Sequence, residues 1–313
     1  MKVIDWLLEG DVVIQHLTTN YLLEKPFDHH NEGFIADYLA FYNEEEQMWG
    51  SNTYSNKWIS STYTLLELKY MEMSYDHPAY QNATKKVLND QWSNHGHVKT
   101  GRYLDMCVVG MILSLVAYGR IQDPKVEEII DHILEHQQTD GGWNCRWDAP
   151  GKGRSVVSSF HTTMSVLEGL ADYEQFGYTY RLEEVKRRIV PAQEYLLKRH
   201  LFRSLRTGNV VKSEFKTFHY PPRWKYDCFR ALEYFVKVDH VYDERMDEAL
   251  GLVEKAFKKG YVGKGTTYPG KIYFPLEESG KGRFNTFRGL RILKKYDHEA
   301  WLAAIKEQGI KYD

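Results

Sequence analysis

DMCVVGMILSLVAYG, residues 105–119, decides the fold. From Cys107 to Tyr118 it offers no polar side: Val108, Val109, Met111, Ile112, Leu113, Leu115, Val116 and Ala117 cover the whole circumference of a helix. Such a helix must be enclosed all round. Residues 124–138 differ. Val126, Ile129, Ile130, Ile133 and Leu134 recur at steps of three and four, with Glu127, Glu128, Asp131 and Glu135 opposite, which predicts a helix with one wet face. The two form a hairpin with an inner and an outer member.

The pairing recurs outward along the chain. SSFHTTMSVLEGLADY (158–173) and WKYDCFRALEYF (224–235) repeat the inner pattern. The predicted pairs are 58–74 with 78–90, 160–176 with 181–199, 224–238 with 243–258, and 284–296 with 298–307. A first pair covers 12–23 and 34–46, with Pro26 between them. Pro78 and Pro124 stand where a second helix opens, a position that suits proline. These make about six hairpins at roughly fifty-residue spacing, and repeats too small to bury their own apolar faces must stack on one another. The sequence therefore predicts an all-α protein, one domain over residues 1–313. A closed α/α toroid suits dry inner helices better than an open solenoid.

A charged fraction of 27% and a hydrophobic fraction of 42% fit a soluble globular chain. With 41 basic against 43 acidic residues, no nucleic-acid footprint is expected. The start, MKVIDWLLEGD, is broken by Asp5 and Glu9 before it makes a signal-peptide core, and no apolar stretch is long enough to span a bilayer. Three cysteines predict free thiols and a cytoplasmic protein. The longer connections, 143–158, 203–223 and 260–283, are where function tends to gather. Gly263, Gly265, Pro269, Gly270 and Pro275 in the last predict a short β-hairpin or lid. Arg146, Arg154, Arg223 and Arg283 can receive a phosphate or carboxylate, or stay solvated.

HQQTDGGWNCRW (136–147) carries Gln137, Gly141 and Trp143 in a Gln–Gly–Trp pattern, with weaker copies at QMWG from Gln47 and QWSNHG from Gln91. In that pattern the Trp ring closes one hairpin and the Gln amide bonds the backbone of the next turn. With the hairpin count, the chain resembles the small bacterial prenyltransferase and squalene-cyclase repeat proteins over nearly its whole length. The resemblance implies a toroid holding an apolar, isoprenoid-like ligand in a central cavity and, if an enzyme, a transferase or isomerase.

YLDMC supplies Asp105 and Cys107, and His161 follows in the next repeat, similar to the zinc ligands of the protein farnesyltransferase beta subunit. The resemblance implies Zn2+ with an open coordination position, and a thiolate at Cys107 favoured by the helix start. The interval from His161 to the following Leu-Glu-Gly-Leu is one residue longer than in that pattern, which turns the imidazole by about 100°. The same residues have a structural reading: Asp105 as a helix cap, Cys107 as a buried apolar residue, His161 bonded to a neighbouring loop. His95 and His97 are a lesser ligand pair.

YDCFRALE from Tyr226 resembles the Asp-Cys motif of oxidosqualene cyclases, which makes Asp227 a catalytic candidate beside the Cys107 of the zinc-like site; a carboxyl in apolar surroundings can act as a general acid. Its other reading is an N-cap. The Asp-x-Asp-Asp and Asp-Asp-x-x-Asp signatures are absent from the sequence. Trp58, Trp143, Arg223, Tyr226 and Phe284 are the substrate-binding candidates, with rings suited to a carbocation, an isoprenoid, a sugar or simple gap-filling. Two other functions stay open. A carbohydrate-active toroid needs paired carboxylates, for which Asp148, Asp227, Glu277 and Glu278 are available. A non-catalytic toroid binding a small molecule or protein needs rim side chains satisfied by backbone groups.

Overall fold

Helices dominate the described residues, 2–277 and 280–306 of the computed structural model, and the only sheet among them has two strands. In chain order the helices are α1 (Val3–Leu8), α2 (Val12–Leu17, continued by a π turn to Leu22), α3 (Phe34–Leu39), α4 (Ser61–Tyr70), α5 (Pro78–Gln91), α6 (Met106–Tyr118) and α7 (Pro124–Glu135). They continue with α8 (Phe160–Gln175), α9 (Leu182–Leu197), α10 (Cys228–Lys237), α11 (Asp247–Ala256), α12 (Arg283–Tyr296) and α13 (His298–Lys306). The protein is all-α. No described helix is long and apolar enough to cross a membrane. Two compact units are built from these helices. The first is Leu39–Leu196 with Arg223–Tyr226; the second is Met1–Tyr38, Leu197–Pro222 and Asp227–Asp313.

In the first unit α4, α6 and α8 are the enclosed helices, and α6 is buried from Met106 to Ala117. α5 rests on α4 and α6, and α7 on α6. Glycines let α6 and α8 meet backbone to backbone: a Cβ on Gly110 would lie 2.6 Å from the Ser165 carbonyl group, and one on Gly169 would lie 2.5 Å from the Gly110 oxygen. A polar triad ties the three enclosed helices together. The Lys69 ammonium pairs with the Asp172 carboxylate and donates to Ser114 Oγ at 2.6 Å, while Ser114 donates to Asp172 at 2.6 Å. Asp172 is wholly buried, so the charge is held dry and depends on its partners.

The tryptophan-terminated repeat closes the α6–α7 hairpin. Trp143 Nε1 donates to the Ile133 carbonyl at 2.8 Å, and the Gln137 amide donates to Gly141 at 2.6 Å and to Arg188 of α9 at 2.8 Å.

In the second unit α10 and α12 are the enclosed helices, α11 rests on both, and α13 and α2 rest on α12. Lys294 donates to the carbonyls of Tyr21 and Leu22 at 3.1 and 3.0 Å, and the Arg283 guanidinium lies 4.7 Å from the Trp6 ring centre. The first helices and the last hairpin therefore share one core. Glu277 caps α12, its two oxygens accepting the amides of Arg283 and Phe284 at 2.8 Å each.

Several boundaries depart from the sequence-based expectation, each for a local reason. α4 starts at Ser61, not 58, because Trp58 has a left-handed φ of 82° and Ser60 is extended. α10 starts at Cys228, not 224, because extended Asp227 caps it. The helix predicted to 46 stops at Leu39. Tyr42–Asn43 then pairs antiparallel with Met48–Trp49, the run Glu44–Glu46 forming the turn with Asn43 Oδ1 accepting the Glu46 amide. The predicted hairpin of 260–283 is replaced, among described residues, by isolated bridges of Gly263 with Lys281 and His219 with Gly265. Glu307, expected to end α13, lies outside the described residues, as does Glu278.

Candidate functional site

Two constellations sit at the starts of enclosed helices, one in each unit. In the first unit Cys107 occupies the first turn of α6, and Cys145 lies on the connection that leads to α8. Cys145 Sγ accepts the Cys107 amide at 3.4 Å and stands 3.3 Å from Thr162 Oγ1. The Cys107 thiol is hydrogen-bonded to the same sulfur. That bond lowers the Cys145 pKa, with Thr162 and the amide adding to it, and raises that of Cys107, which burial raises further. These shifts favour Cys107 as the donor of the pair and Cys145 as the acceptor. Nearby, Tyr54 and Tyr63 hold their hydroxyls 3.4 Å apart, and burial pushes the Tyr54 pKa up to about 12.

The zinc trio is placed differently from its expectation. Asp105 precedes α6 as its cap residue without a side-chain cap bond, and Cys107 is engaged with Cys145. His161 Nδ1 accepts the Tyr226 amide at 2.8 Å, and its ring packs 5.3 Å from Trp224. Among the described residues no three His, Cys, Asp or Glu side chains stand together as a metal site. His95 and His97 also turn elsewhere, His95 to Glu128 at 3.0 Å and His97 onto the Tyr103 ring at 4.0 Å.

Arg223 and Trp58 do come together, with each other. The guanidinium lies 4.3 Å from the Trp58 ring centre and pairs with buried Glu67 of α4 at 2.8 Å. Tyr226 is buried and packs 5.0 Å from Phe160. Trp143 is spent on closing its hairpin. Asp148 accepts from Arg102 at 2.8 Å and from the Tyr103 amide at 2.8 Å, and its pKa is lowered.

In the second unit Asp227 is wholly buried. Its Oδ1 accepts the Arg230 amide at 2.8 Å and so caps α10. Its Oδ2 is buried with no hydrogen-bond partner among the described residues. Burial raises the Asp227 pKa, against the opposing charge of Arg288 and the capping amide. Arg288 pairs with Glu233, donates to the His219 carbonyl at 2.8 Å, and lies 4.6 Å from the Phe229 ring centre. Aromatic rings crowd the same region. Phe284 stacks on Tyr220 at 4.0 Å, Phe218 packs on Phe229 at 4.1 Å, and Tyr268 stacks on His219 at 4.5 Å.

Sequence reasoning passes over Cys145, although it stands two residues after Trp143 in the repeat that drew attention. It also passes over His132, whose ring lies 4.5 Å from His136 and 4.8 Å from Tyr103. His132 Nε2 is buried with no partner among the described residues, and burial lowers its pKa to about 3.

No protein-family model matches the chain, and no curated protein matches it.

Proposed function

We propose that this chain is an α/α toroid of the prenyltransferase and terpenoid-cyclase kind, holding an apolar, isoprenoid-like ligand near the starts of its enclosed helices, with Asp227 as general acid. The observation that carries this is the state of Asp227. One oxygen is used by the helix and the other is buried without a hydrogen-bond partner among the described residues, and burial raises the pKa and so favours the protonated form. An acid of that kind can protonate an alkene or an allylic oxygen, and aromatic faces near it favour the cation that follows. The alternation of enclosed and half-wet helices in both units supports the toroid. No zinc step enters this reading.

The carbohydrate reading has less support, because Asp148 is tied to Arg102 and Glu277 to the start of α12. A non-catalytic binder is favoured by one observation: Arg223 is buried, paired with Glu67 and packed on Trp58.

One experiment separates these readings. The protein is incubated in D2O with linear isoprenoid alcohols and polyenes, and binding is followed by fluorescence quenching and products by mass spectrometry. General-acid chemistry gives a deuterated product that Asp227→Asn reduces at least about 100-fold with binding retained. Binding without turnover in either protein points to the non-catalytic toroid. No binding of any isoprenoid, or equal turnover in the variant, overturns the proposal.

A further inference from the structure

We propose that Cys107 and Cys145 form a peroxide-reactive dithiol that closes to a disulfide. The two cysteines lie side by side, the Cys145 sulfur accepting the Cys107 amide at 3.4 Å. They come from different places in the chain, Cys107 from the first turn of α6 and Cys145 from the connection after α7. The contact is therefore made by the fold. Cys145 is part-exposed and sits on a loop, so a small oxidant can reach it, while Cys107 is buried behind it. Thr162 Oγ1, 3.3 Å from Cys145, orients the attacking sulfur from the side of α8. The third cysteine, Cys228, is wholly buried in the second unit.

The chemistry balances in two steps. Cys145 Sγ attacks one oxygen of hydrogen peroxide, the O–O bond breaks, and the departing hydroxide leaves as water with the thiol proton. Cys145 is then a sulfenic acid. The Cys107 sulfur attacks that sulfur, the S–O bond breaks, and the hydroxyl leaves as water with the Cys107 proton. The net change is two thiols and one peroxide to one disulfide and two waters. A small dithiol reductant restores the pair by exchange. Closure needs the sulfurs to approach to about 2 Å, a movement the loop at Cys145 can supply while α6 stays fixed. The result is a covalent strap from the start of α6 to the connection ahead of α8.

The test uses the full-length protein. Reduced protein is treated with a few equivalents of hydrogen peroxide, remaining thiols are alkylated under denaturing conditions, and peptides are read by mass spectrometry. The expected result is one linked peptide joining Cys107 to Cys145, reversed by dithiothreitol, with Cys228 still alkylated as a thiol. In Cys107→Ala the Cys145 sulfenic acid persists and is trapped by dimedone. In Cys145→Ala the rate of peroxide-driven thiol loss falls by about tenfold or more. The wild-type measurement needs no variant to fold. Absence of the linked peptide, oxidation of Cys228 at the same rate, or an unchanged rate in Cys145→Ala overturns the proposal.

Discussion

Stability between pH 4.5 and 7 reports on the carboxyl that caps α12. Burial raises the Glu277 pKa from 4.5 to about 7, although the Arg283 and Phe284 amides bound to its oxygens pull the other way. The folded protein therefore holds a proton in this window that the unfolded chain has released. Its contribution is fully present below pH 4.5 and is lost as pH rises through 7. At about 1.4 kcal/mol per pH unit the full shift amounts to about 3 kcal/mol, and screening of a partly exposed group reduces this to about 2 kcal/mol. Urea unfolding at several pH values across this range measures it, with Glu277→Gln as the comparison. The variant pays a roughly constant penalty, because its amide nitrogen must face one of two backbone donors, but it loses the slope. The difference in unfolding free energy between the two proteins should thus shrink by about 2 kcal/mol as the pH rises. Parallel curves for the two proteins would refute the assignment.

Two further outcomes are expected. His132 carries the opposite sign: with its pKa lowered to about 3 from 6.5, its contribution is present above pH 6.5 and fades as pH falls towards 3. Loss of about 4 kcal/mol over that range in urea unfolding, absent from His132→Leu, is the expected result, and an equally steep acid limb in the variant refutes it. Lys69→Met strands the Asp172 carboxylate in the core, for which a loss of about 3–5 kcal/mol is expected, with partial recovery in the Lys69→Met, Asp172→Asn double variant. A loss under about 1 kcal/mol in denaturant midpoint analysis would show that the triad does not hold α4, α6 and α8 together.

The helices were legible where burial acts alone. α6 is apolar on every side because every side is buried, and α7 has one wet face because only the side bearing Val126, Ile129, Ile130 and Ile133 is buried. α1 escaped notice because six residues are too few for a period, and part of its packing comes from partners nearly the whole chain away, such as Arg283 and α13. The Glu44–Glu46 run extends a helical pattern on paper, yet Asn43 and buried Trp49 turn it into a hairpin. Sites were less legible than helices. Asp105, Cys107 and His161 stand near helix starts as their spacing suggests, but where each side chain turns depends on Cys145 and Tyr226, distant in sequence. Asp227 shows both of its sequence readings at once, one oxygen capping and the other unpartnered. Lys69 and Asp172, over a hundred positions apart, leave no local trace of their pairing.

The interleaving of the second unit bears on how the chain is made. Residues 1–38 leave the ribosome before the first unit, yet Lys294, which grips the Tyr21 and Leu22 carbonyls, emerges only after it. Trp6, Leu7, Ile14 and Leu17 must wait uncovered while the first unit is translated and can fold behind them. A nascent chain halted before residue 283 would carry that waiting apolar segment, a natural handle for chaperones that hold emerging polypeptides.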